Sequence, residues 1–556
     1  MELQQKQLFI ELSFLPSFLP SFLTHMSRLY SPSEWVAPFV SIASLALLPL
    51  GPIFFPRFYL LCLCIYFSVF LFTQYNHVCK FWLTSRKIKR TIRKWNKKLH
   101  DSVETLDSIE EQLQYYSDTF YFHAFIVPNY CEPEDLLKDT IERIAMHSRA
   151  HTHYALILAM EQSEPGWEAK ASRLEAHFSN RFAQFIITGH PTNIPGESRG
   201  KGSNVAYAAR HGCLELVNKG IDRKRVIITV TDSDAAIPEL YIREVEDALN
   251  KTDDPYHLLC APPIFFSRNC FDVPASVRVT DITWSAMVMS NLSNSCGMCI
   301  PCSNYSLSLV LADTVGYWDT DADAVGEDMH MWLKCFWKTK GLVRTAPIYV
   351  PINLTNVQTE SYLSNVRARY VQAKRHYNGV ADVAYTLKNA FQTSSISLLD
   401  RLRVCFIILE AHMVPATSGW LMFMAVPLMQ AILFPPFAWM ALVPATENPI
   451  LTSEFYGRLW SFVKLITLCL PLPLFGTLAV YEQLHRMIDR EFFRKQESRA
   501  WFNLFDYINL PIAAWLFMTL PSTLACIKRL LCCEEKYITS EKLFFKDDTP
   551  ANKTSI

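Results

Sequence analysis

The sequence carries no excess of charge of either sign. Its 556 residues include 53 lysines and arginines against 53 aspartates and glutamates, and charged residues make up only 19% of the chain. A protein that binds nucleic acid needs a basic face to meet the phosphates. The missing basic excess therefore argues against a nucleic-acid partner, and we expect none.

The sequence predicts neither a signal peptide nor a zinc finger. The first 30 residues contain the apolar stretch FLPSFLPSFL, but they have an acidic start and no clear cleavage site. Cys296, Cys299 and Cys302 in SCGMCIPC have a spacing that suggests a metal, yet no further ligand pair stands nearby at zinc-finger separation. We interpret these three residues as reduced thiols of a cytosolic domain.

Long apolar runs are present, and they are concentrated at the two ends of the chain. Two runs, 35–55 and 58–72, precede the middle region, and three runs, 419–443, 462–480 and 504–526, follow it. A helix needs about 20 residues to cross the hydrocarbon layer of a membrane. Most runs reach that length and several are apolar all round, which favours membrane spans over buried core helices.

Basic clusters give the predicted orientation. Residues 86–98 hold eight lysines and arginines after the second run, and residues 486–499 hold five after the fourth. The positive-inside rule puts both clusters, and with them the middle region and the N-terminus, in the cytosol. The stretch 402–418 carries Arg403, Glu410 and His412 among apolar residues, which favours a helix lying in the membrane interface.

These patterns divide the chain into seven parts. They are an N-terminal cytosolic tail (1–34), two transmembrane helices (35–75), a basic juxtamembrane linker (76–119), a cytosolic α/β domain (120–395), an interfacial helix (396–418), about three transmembrane helices (419–531) and a C-terminal tail (532–556).

Predicted strands and helices alternate through the first half of the middle region. Apolar strands are predicted near the starts of 122–145 and 153–164, over 181–189 and from 226 to 230. This alternation predicts a largely parallel sheet that is buried on both faces. Ligands of such sheets bind beyond the carboxyl ends of the strands. Residues 128–132, Glu161, the 190–204 loop and the Asp232/Asp234 pair all fall at those ends, so we expect them to share one edge.

Asp232 and Asp234 in VTDSDA follow the fourth predicted strand directly. Aspartate and serine favour turns at strand ends, so a turn is one interpretation. Hard divalent cations such as Mg²⁺ and Mn²⁺ prefer carboxylate oxygens, so a metal site is the other. The spacing of the two aspartates alone does not decide between them.

Two later stretches add candidate chemistry. Glu327 and Asp328 in VGEDMHMWLKCF begin a predicted helix, where the helix dipole favours anions. A simple helix cap is the alternative. The stretch RARYVQAKRHYNG at 367–379 is strongly basic. It can also be read as a solvated helix face or as a stretch that binds lipid headgroups.

Together these motifs resemble those of the family 2 glycosyltransferases, in particular the membrane-embedded branch that includes cellulose, chitin and hyaluronan synthases. The shared order is an IVPNYCEP opening strand, an acidic residue after the second strand, a Lys-Gly-small-Asn loop, Asp-x-Asp, Glu-Asp and Gln-x-x-Arg-x, over roughly 120–380. CSNYSLSL and GEDMHMWLKCF are similar to stretches of fungal type 2 glycosyltransferase-like proteins. The resemblance implies an α/β GT-A (Rossmann-like) cytosolic glycosyltransferase domain inserted between N- and C-terminal transmembrane α-helices.

The resemblance also implies the roles of individual residues toward a nucleotide-sugar donor, expected to be a UDP-sugar. The residues implied to bind the nucleotide sugar are Pro128, Tyr130, Glu132, Glu161, Lys201 and Asp232. Asp232 and Asp234 are implied to hold Mg²⁺ or Mn²⁺ at the diphosphate. The metal, Lys201 and Arg375 would neutralise charge on the departing diphosphate.

The implied catalytic residues lie later in the chain. Asp328 is implied to be the general base that takes the proton of the acceptor hydroxyl. Glu327, Gln372 and Arg375 complete the implied catalytic set. With no nucleophile needed on the enzyme, a single displacement inverts the configuration at the transferred sugar.

Two positions depart from the family pattern. Glu161 stands where most members carry aspartate, and its longer side chain can still accept a hydrogen bond from a nucleobase. His376 stands where synthases of long β-glucans carry a tryptophan that stacks on the acceptor sugar. An imidazole offers a smaller apolar face for such stacking. The acceptor, and whether it is extended processively, therefore stay open.

The resulting interpretation is a membrane-bound inverting glycosyltransferase that extends a β-linked polysaccharide of the cell wall or extracellular matrix. The expected location is the plasma membrane, with the Golgi as the alternative. A second interpretation is a non-processive transferase that acts on a lipid acceptor. A third is a transporter or scaffold with an inactive nucleotide-binding domain. Only Lys464 and Asp506 are ionisable within the predicted spans, which argues against transport.

Overall fold

The computed structural model describes residues 31–104, 120–321, 323–324, 326–434, 448–495 and 499–531. The strands are β1 (Phe122–Asn129), β2 (Tyr154–Glu161), β3 (Gln184–His190), β4 (Val226–Val230), β5 (Leu258–Ala261), β6 (Ile264–Phe265), β7 (Tyr305–Ser308), β8 (Arg344–Pro347) and β9 (Ile352–Asn353).

The helices are α1 (Pro32–Phe54), α2 (Pro56–Glu104), α3 (Glu134–Ala145), α4 (Ala150–His153), α5 (Trp167–Phe178), α6 (Lys201–Asn218), α7 (Glu239–Asn250), α8 (Ala275–Asn291), α9 (Leu309–Thr314), α10 (Glu327–Lys338), α11 (Tyr362–Tyr377), α12 (Ala381–Gln392), α13 (Leu398–Trp420), α14 (Val426–Leu433), α15 (Glu454–Cys469), α16 (Pro471–Glu491), α17 (Leu510–Ala514) and α18 (Leu520–Leu531).

The middle region folds around a seven-stranded sheet with the order β3-β2-β1-β4-β7-β5-β8. Its first four strands are mutually parallel, as the alternation of strands and helices predicts. Strand β7 runs antiparallel to both β4 and β5. The short strands β6 and β9 form a separate parallel pair. The expected largely parallel sheet is therefore present, with one reversed strand that the sequence did not indicate.

Both faces of the sheet are covered. Every position of β1 and β2 is buried. In β1, Ala124 and Ile126 join the core on one face, while Phe125 and Val127 join the core on the other. Successive strand residues point to opposite faces, so a strand buried on both sides favours a continuous apolar run. Residues 124–128 of β1 and 155–160 of β2 form such runs, and the buried His123 is paired with Glu246.

Five helical segments in the described part of the chain are long and apolar enough to cross a membrane. They are Pro32–Phe54, Pro56–Lys98, Leu398–Leu433, Glu454–Glu491 and Trp501–Leu530. Their number agrees with the five apolar runs of the sequence. Residues 435–443, the end of the third predicted run, lie outside the described residues.

Two predicted boundaries fall inside continuous helices. Helix α2 continues from its apolar run to Glu104, so the described part of the basic 76–119 segment is helical. Helix α13 passes through a π-helical turn at 421–425 into α14. The predicted interfacial helix and the start of the next predicted span are therefore one helix. Helix α2 also packs against α8 and α16, which joins the α/β domain to the membrane helices.

Candidate active site

A cavity of about 2080 Å³ lies at the carboxyl edge of the parallel strands and continues between the long apolar helices. All of the site residues predicted from the sequence line it. They are Pro128, Tyr130, Glu132, Glu161, Lys201, Asp232, Asp234, Glu327, Asp328, Gln372, Arg375 and His376. Residues of α1, α2, α13, α16 and α18 line the same cavity. The structure thus brings the predicted residues together, while their individual roles remain predictions.

Lys201 is the central cation of the cavity. It is the first residue of α6, and its Nζ lies 2.7 Å from an oxygen of Asp232 and 3.1 Å from an oxygen of Glu327. The same nitrogen donates to the carbonyl of Ser303 at 3.3 Å. Burial lowers the pKa of Lys201, but the neighbouring carboxylates of Asp232 and Glu327 outweigh it and raise that pKa above its usual value.

Glu327 is held from both sides at the start of α10. Its second carboxylate oxygen accepts from the Tyr305 hydroxyl at 3.0 Å, and the Trp318 indole donates to that hydroxyl at 2.6 Å. The carboxylate is buried. Burial raises the pKa of Glu327 to about 7, against the opposing effect of Lys201. The Glu327 carboxyl therefore holds a proton more tightly than an exposed glutamate does.

Asp328 is oriented by backbone groups. The Ser303 N–H donates to one carboxylate oxygen at 2.7 Å, and the Met329 N–H donates to the other at 2.8 Å. Ser303 has a φ of 59°, in the left-handed region that side-chain-bearing residues seldom adopt. A carboxylate offers about four acceptor positions, so these two bonds leave room for a further donor from the cavity.

Asp232 and Asp234 end β4 as expected, but they have different surroundings. Asp234 is buried, and its carboxylate accepts from the backbone N–H and the hydroxyl of Thr355. The backbone carbonyl of Asp234 accepts from Arg268 at 2.6 Å. Asp232 is more exposed and is paired with Lys201. The Asp234 side chain thus anchors the end of β4 to the loop after β9.

Whether Asp232 and Asp234 can hold a divalent cation depends on the chemistry of their carboxylate oxygens. Within the described ranges, no three aspartate, glutamate, histidine or cysteine side chains are arranged to hold a metal ion by themselves. Mg²⁺ is usually held by one or two carboxylates together with the phosphates of a substrate. The hard oxygens of Asp232 and Asp234 fit such a partial set of ligands, in which the remaining positions are left to a diphosphate.

Glu161 is hydrogen-bonded to a buried histidine at the edge of the cavity. His190 lies 3.0 Å from Glu161 through Nδ1 and 3.0 Å from Glu197 through Nε2. Burial lowers the pKa of His190, but its hydrogen bonds to the two glutamates raise that pKa above its usual value. This bridge ties the loop after β3 to the end of β2, and sequence reasoning did not predict it.

The loop after β1 is fixed by a buried network that sequence reasoning missed. Lys170 donates to Asn129 at 3.1 Å and to Glu164 at 2.8 Å. Glu164 also accepts from the Cys131 N–H at 2.9 Å, where the backbone is left-handed with a φ of 59°. These contacts set the course of residues 129–132, which include Tyr130 and Glu132.

Gln372 is positioned by a buried ion pair between α8 and α11. Arg369 lies 2.9 Å from Asp281 and donates to the Gln372 side chain at 3.0 Å. Arg369 and Asp281 are 3% and 4% exposed, so the pair is isolated from water. Two turns beyond Arg369, the ring of His376 lies 5.8 Å from the ring of Trp284 on α8. The sequence singled out neither Asp281 nor Trp284.

A second buried group steadies α10. His330, one turn after Glu327, lies 2.6 Å from Asp382 and 3.1 Å from Asp319, and Lys334 lies 2.6 Å from the other oxygen of Asp319. Burial lowers the pKa of His330, but the two aspartates outweigh it and raise that pKa to about 10. The two aspartates therefore favour the protonated form of His330, which links α10 to α12.

The structure has an α/β domain with a cavity at the carboxyl edge of its mostly parallel sheet, and this domain is joined to helices that are long and apolar enough to cross a membrane. The family model described as "Glycosyl transferase family group 2" matches residues 227–524, just over half of the chain. The protein belongs to that family. The resemblance seen in the sequence and the expected GT-A glycosyltransferase fold are thereby confirmed.

Two solved structures are similar to the chain at low identity. One is described as "Mannosyltransferase PcManGT from Pyrobaculum calidifontis in complex with GDP-Man and Mn2+", with 14% identity, a TM-score of 0.38, and coverage of 79% of this chain and 100% of that chain. The other is a crystal structure of S. aureus TarS 1-349, with 12% identity, a TM-score of 0.34, and coverage of 62% and 90%. No curated protein matches the sequence significantly. The assignment rests on the family match.

Proposed function

We propose that this protein is a membrane-bound inverting glycosyltransferase that moves a sugar from a nucleotide sugar, expected to be a UDP-sugar, onto a growing β-linked polysaccharide. The observation that carries the proposal is the convergence of Lys201, Asp232 and Asp328 on one cavity that continues between membrane helices. Donor, acceptor and exit route would then share one space.

The donor end of the cavity suits a diphosphate leaving group. Lys201 and Arg375 supply positive charge, and electrostatic stabilisation of developing charge is a large source of catalysis. Asp232 and Asp234 would hold Mg²⁺ or Mn²⁺, which supplies further charge neutralisation at the diphosphate when bound. Binding of the diphosphate would draw Lys201 from Asp232, freeing that carboxylate.

Asp328 is the proposed general base. The bonds from the Ser303 and Met329 N–H groups fix its carboxylate at the cavity wall. The acceptor hydroxyl would give its proton to a carboxylate oxygen of Asp328 as its own oxygen attacks the anomeric carbon of the donor sugar. The bond from that carbon to the diphosphate breaks in the same displacement, so the configuration inverts.

Buried polar groups near the membrane helices favour a carbohydrate acceptor over a hydrocarbon chain. The hydroxyl of Tyr377, one oxygen of Asp382 and both ring nitrogens of His412 have no hydrogen-bond partner among the described residues, although all three residues line the cavity. Buried polar groups are normally satisfied. Once these side chains turn toward the cavity, sugar hydroxyls would supply partners for their polar atoms, whereas a lipid tail would not.

Product fractionation tests the proposal. Membranes containing the protein are incubated with Mn²⁺ and radiolabelled UDP-glucose, UDP-N-acetylglucosamine or UDP-glucuronate. Label is then followed into insoluble polymer, organic-extractable lipid and free sugar. We expect metal-dependent label in the polymer from one donor. Label found only in the lipid fraction would contradict the polysaccharide assignment and support the lipid acceptor.

A further inference from the structure

Trp284 lines the cavity beside His376, and its indole is the larger of the two aromatic rings. The two rings lie 5.8 Å apart at an interplanar angle of 34°, and both residues line the cavity. Trp284 is half-buried, so part of the indole remains open to the cavity. The indole has a larger apolar surface than an imidazole.

Trp284 also lies near the backbone corner formed by Cys302 and Ser303, which orients Asp328. The Trp284 side chain interacts with the thiol of Cys302, and both side chains pack against the same apolar core. The next residue, Ser303, donates its N–H to Asp328 at 2.7 Å. Trp284 thus lies between His376, which follows Arg375, and the backbone corner that holds the proposed base.

Helix α8 holds the indole in place. Asp281, one turn before Trp284, forms the buried ion pair with Arg369 on α11 at 2.9 Å. Met287 and Asn291, one and two turns after Trp284, line the same cavity. Residues three and four apart share one face of a helix. The aromatic ring is therefore carried by a rigid element on its cavity-facing side.

We infer that Trp284 is the platform on which the terminal sugar of the acceptor stacks, and this inference rests on the proposed function. A pyranose presents an apolar C–H face that packs on an indole while its hydroxyls remain free for hydrogen bonds. A sugar on Trp284 would place a hydroxyl near Asp328, because the indole packs beside Cys302 and the next residue, Ser303, donates its N–H to the Asp328 carboxylate. Trp284 then binds the acceptor, whereas Lys201 and Asp232 bind the nucleotide.

The test compares Trp284→Ala and Trp284→Phe with the wild type in membranes that contain the full chain. The acceptors are cellotetraose and chitotetraose, with the radiolabelled donor that the wild-type protein uses. We expect Trp284→Ala to raise the acceptor KM about tenfold or more, with a smaller change in the donor KM. Trp284→Phe retains an aromatic face and should recover most of the loss.

Trp82→Ala is the matched control. Trp82 is an exposed tryptophan on α2 that does not line this cavity, so its removal should leave the acceptor KM unchanged. An unchanged acceptor KM in Trp284→Ala, or equal effects on the donor and acceptor KM in both Trp284 variants, would overturn the inference. Failure of the wild type to transfer sugar to any carbohydrate would overturn the proposed function instead.

Discussion

The ammonium nitrogen of Lys201 lies 3.1 Å from a carboxylate oxygen of Glu327. This contact joins the first residue of α6 to the first residue of α10, across more than 120 residues of sequence. The Glu327 side chain is 6% exposed, so its charge depends on the lysine for compensation. The pair explains why a lysine begins the helix after the 190–200 loop and why a glutamate precedes the proposed base.

Removing Lys201 should destabilise the folded protein. The variant Lys201→Met leaves the buried Glu327 without its cation, and breaking a buried pair on one side typically costs about 3–5 kcal/mol. Thermal unfolding of the detergent-solubilised protein should show a clearly lower apparent Tm. The double variant Lys201→Met/Glu327→Gln should recover most of that loss, because it removes both charges. A double variant that is as unstable as the single one would refute this view of the pair.

The raised pKa of Glu327 predicts the direction in which the stability of the folded protein changes with pH. Its folded-state pKa of about 7 exceeds the ordinary value of 4.5 because burial disfavours the charged carboxylate. The folded state therefore binds this proton more tightly, and the contribution of Glu327 to stability falls as the pH rises from about 4.5 to 7. The apparent Tm of Glu327→Gln, measured relative to wild type, should increase from pH 5 to pH 8. A difference that does not change with pH would contradict the shift.

Variants of Arg369 should distinguish its role in positioning Gln372 from its contribution to the stability of the folded protein. The variant Arg369→Met leaves Asp281 buried and unpaired and removes the donor to Gln372, so both the apparent Tm and kcat should fall. The double variant Arg369→Met/Asp281→Leu replaces the ion pair with apolar side chains. It should recover the Tm but not kcat, because Gln372 still lacks its donor. Recovery of both quantities would show that Gln372 needs no positioning by Arg369.

Much of the α/β domain could be predicted from the sequence. Strands β1 to β4 are apolar runs that end in polar residues, and that pattern is a local property. Strand β7 could not be predicted, because its four residues, YSLS, are too few to show a clear period. Its position between β4 and β5 depends on contacts with distant residues. No secondary-structure prediction covers α2 beyond residue 76, because a basic cluster indicates orientation and not secondary structure.

In the candidate site, too, some features could be predicted from the sequence and others could not. That Asp232 and Glu161 share an edge follows from the parallel strands, which the alternation of elements predicts. Their partners do not follow from it: Glu161 meets His190, and Asp232 meets Lys201. Trp284 lies on a helix whose apolar residues resemble those of an ordinary core helix. Such pairings depend on three-dimensional packing, which a single sequence does not record.

The most direct test of the account is sugar transfer by Asp328→Asn, measured together with UDP binding by titration calorimetry. Asparagine preserves the shape of the side chain but cannot take a proton, and a general base contributes about 10²–10⁴-fold to a rate. We predict that transfer from the preferred UDP-sugar falls by about that factor while UDP affinity stays close to that of the wild type. Transfer at the wild-type rate by Asp328→Asn would contradict the proposed mechanism.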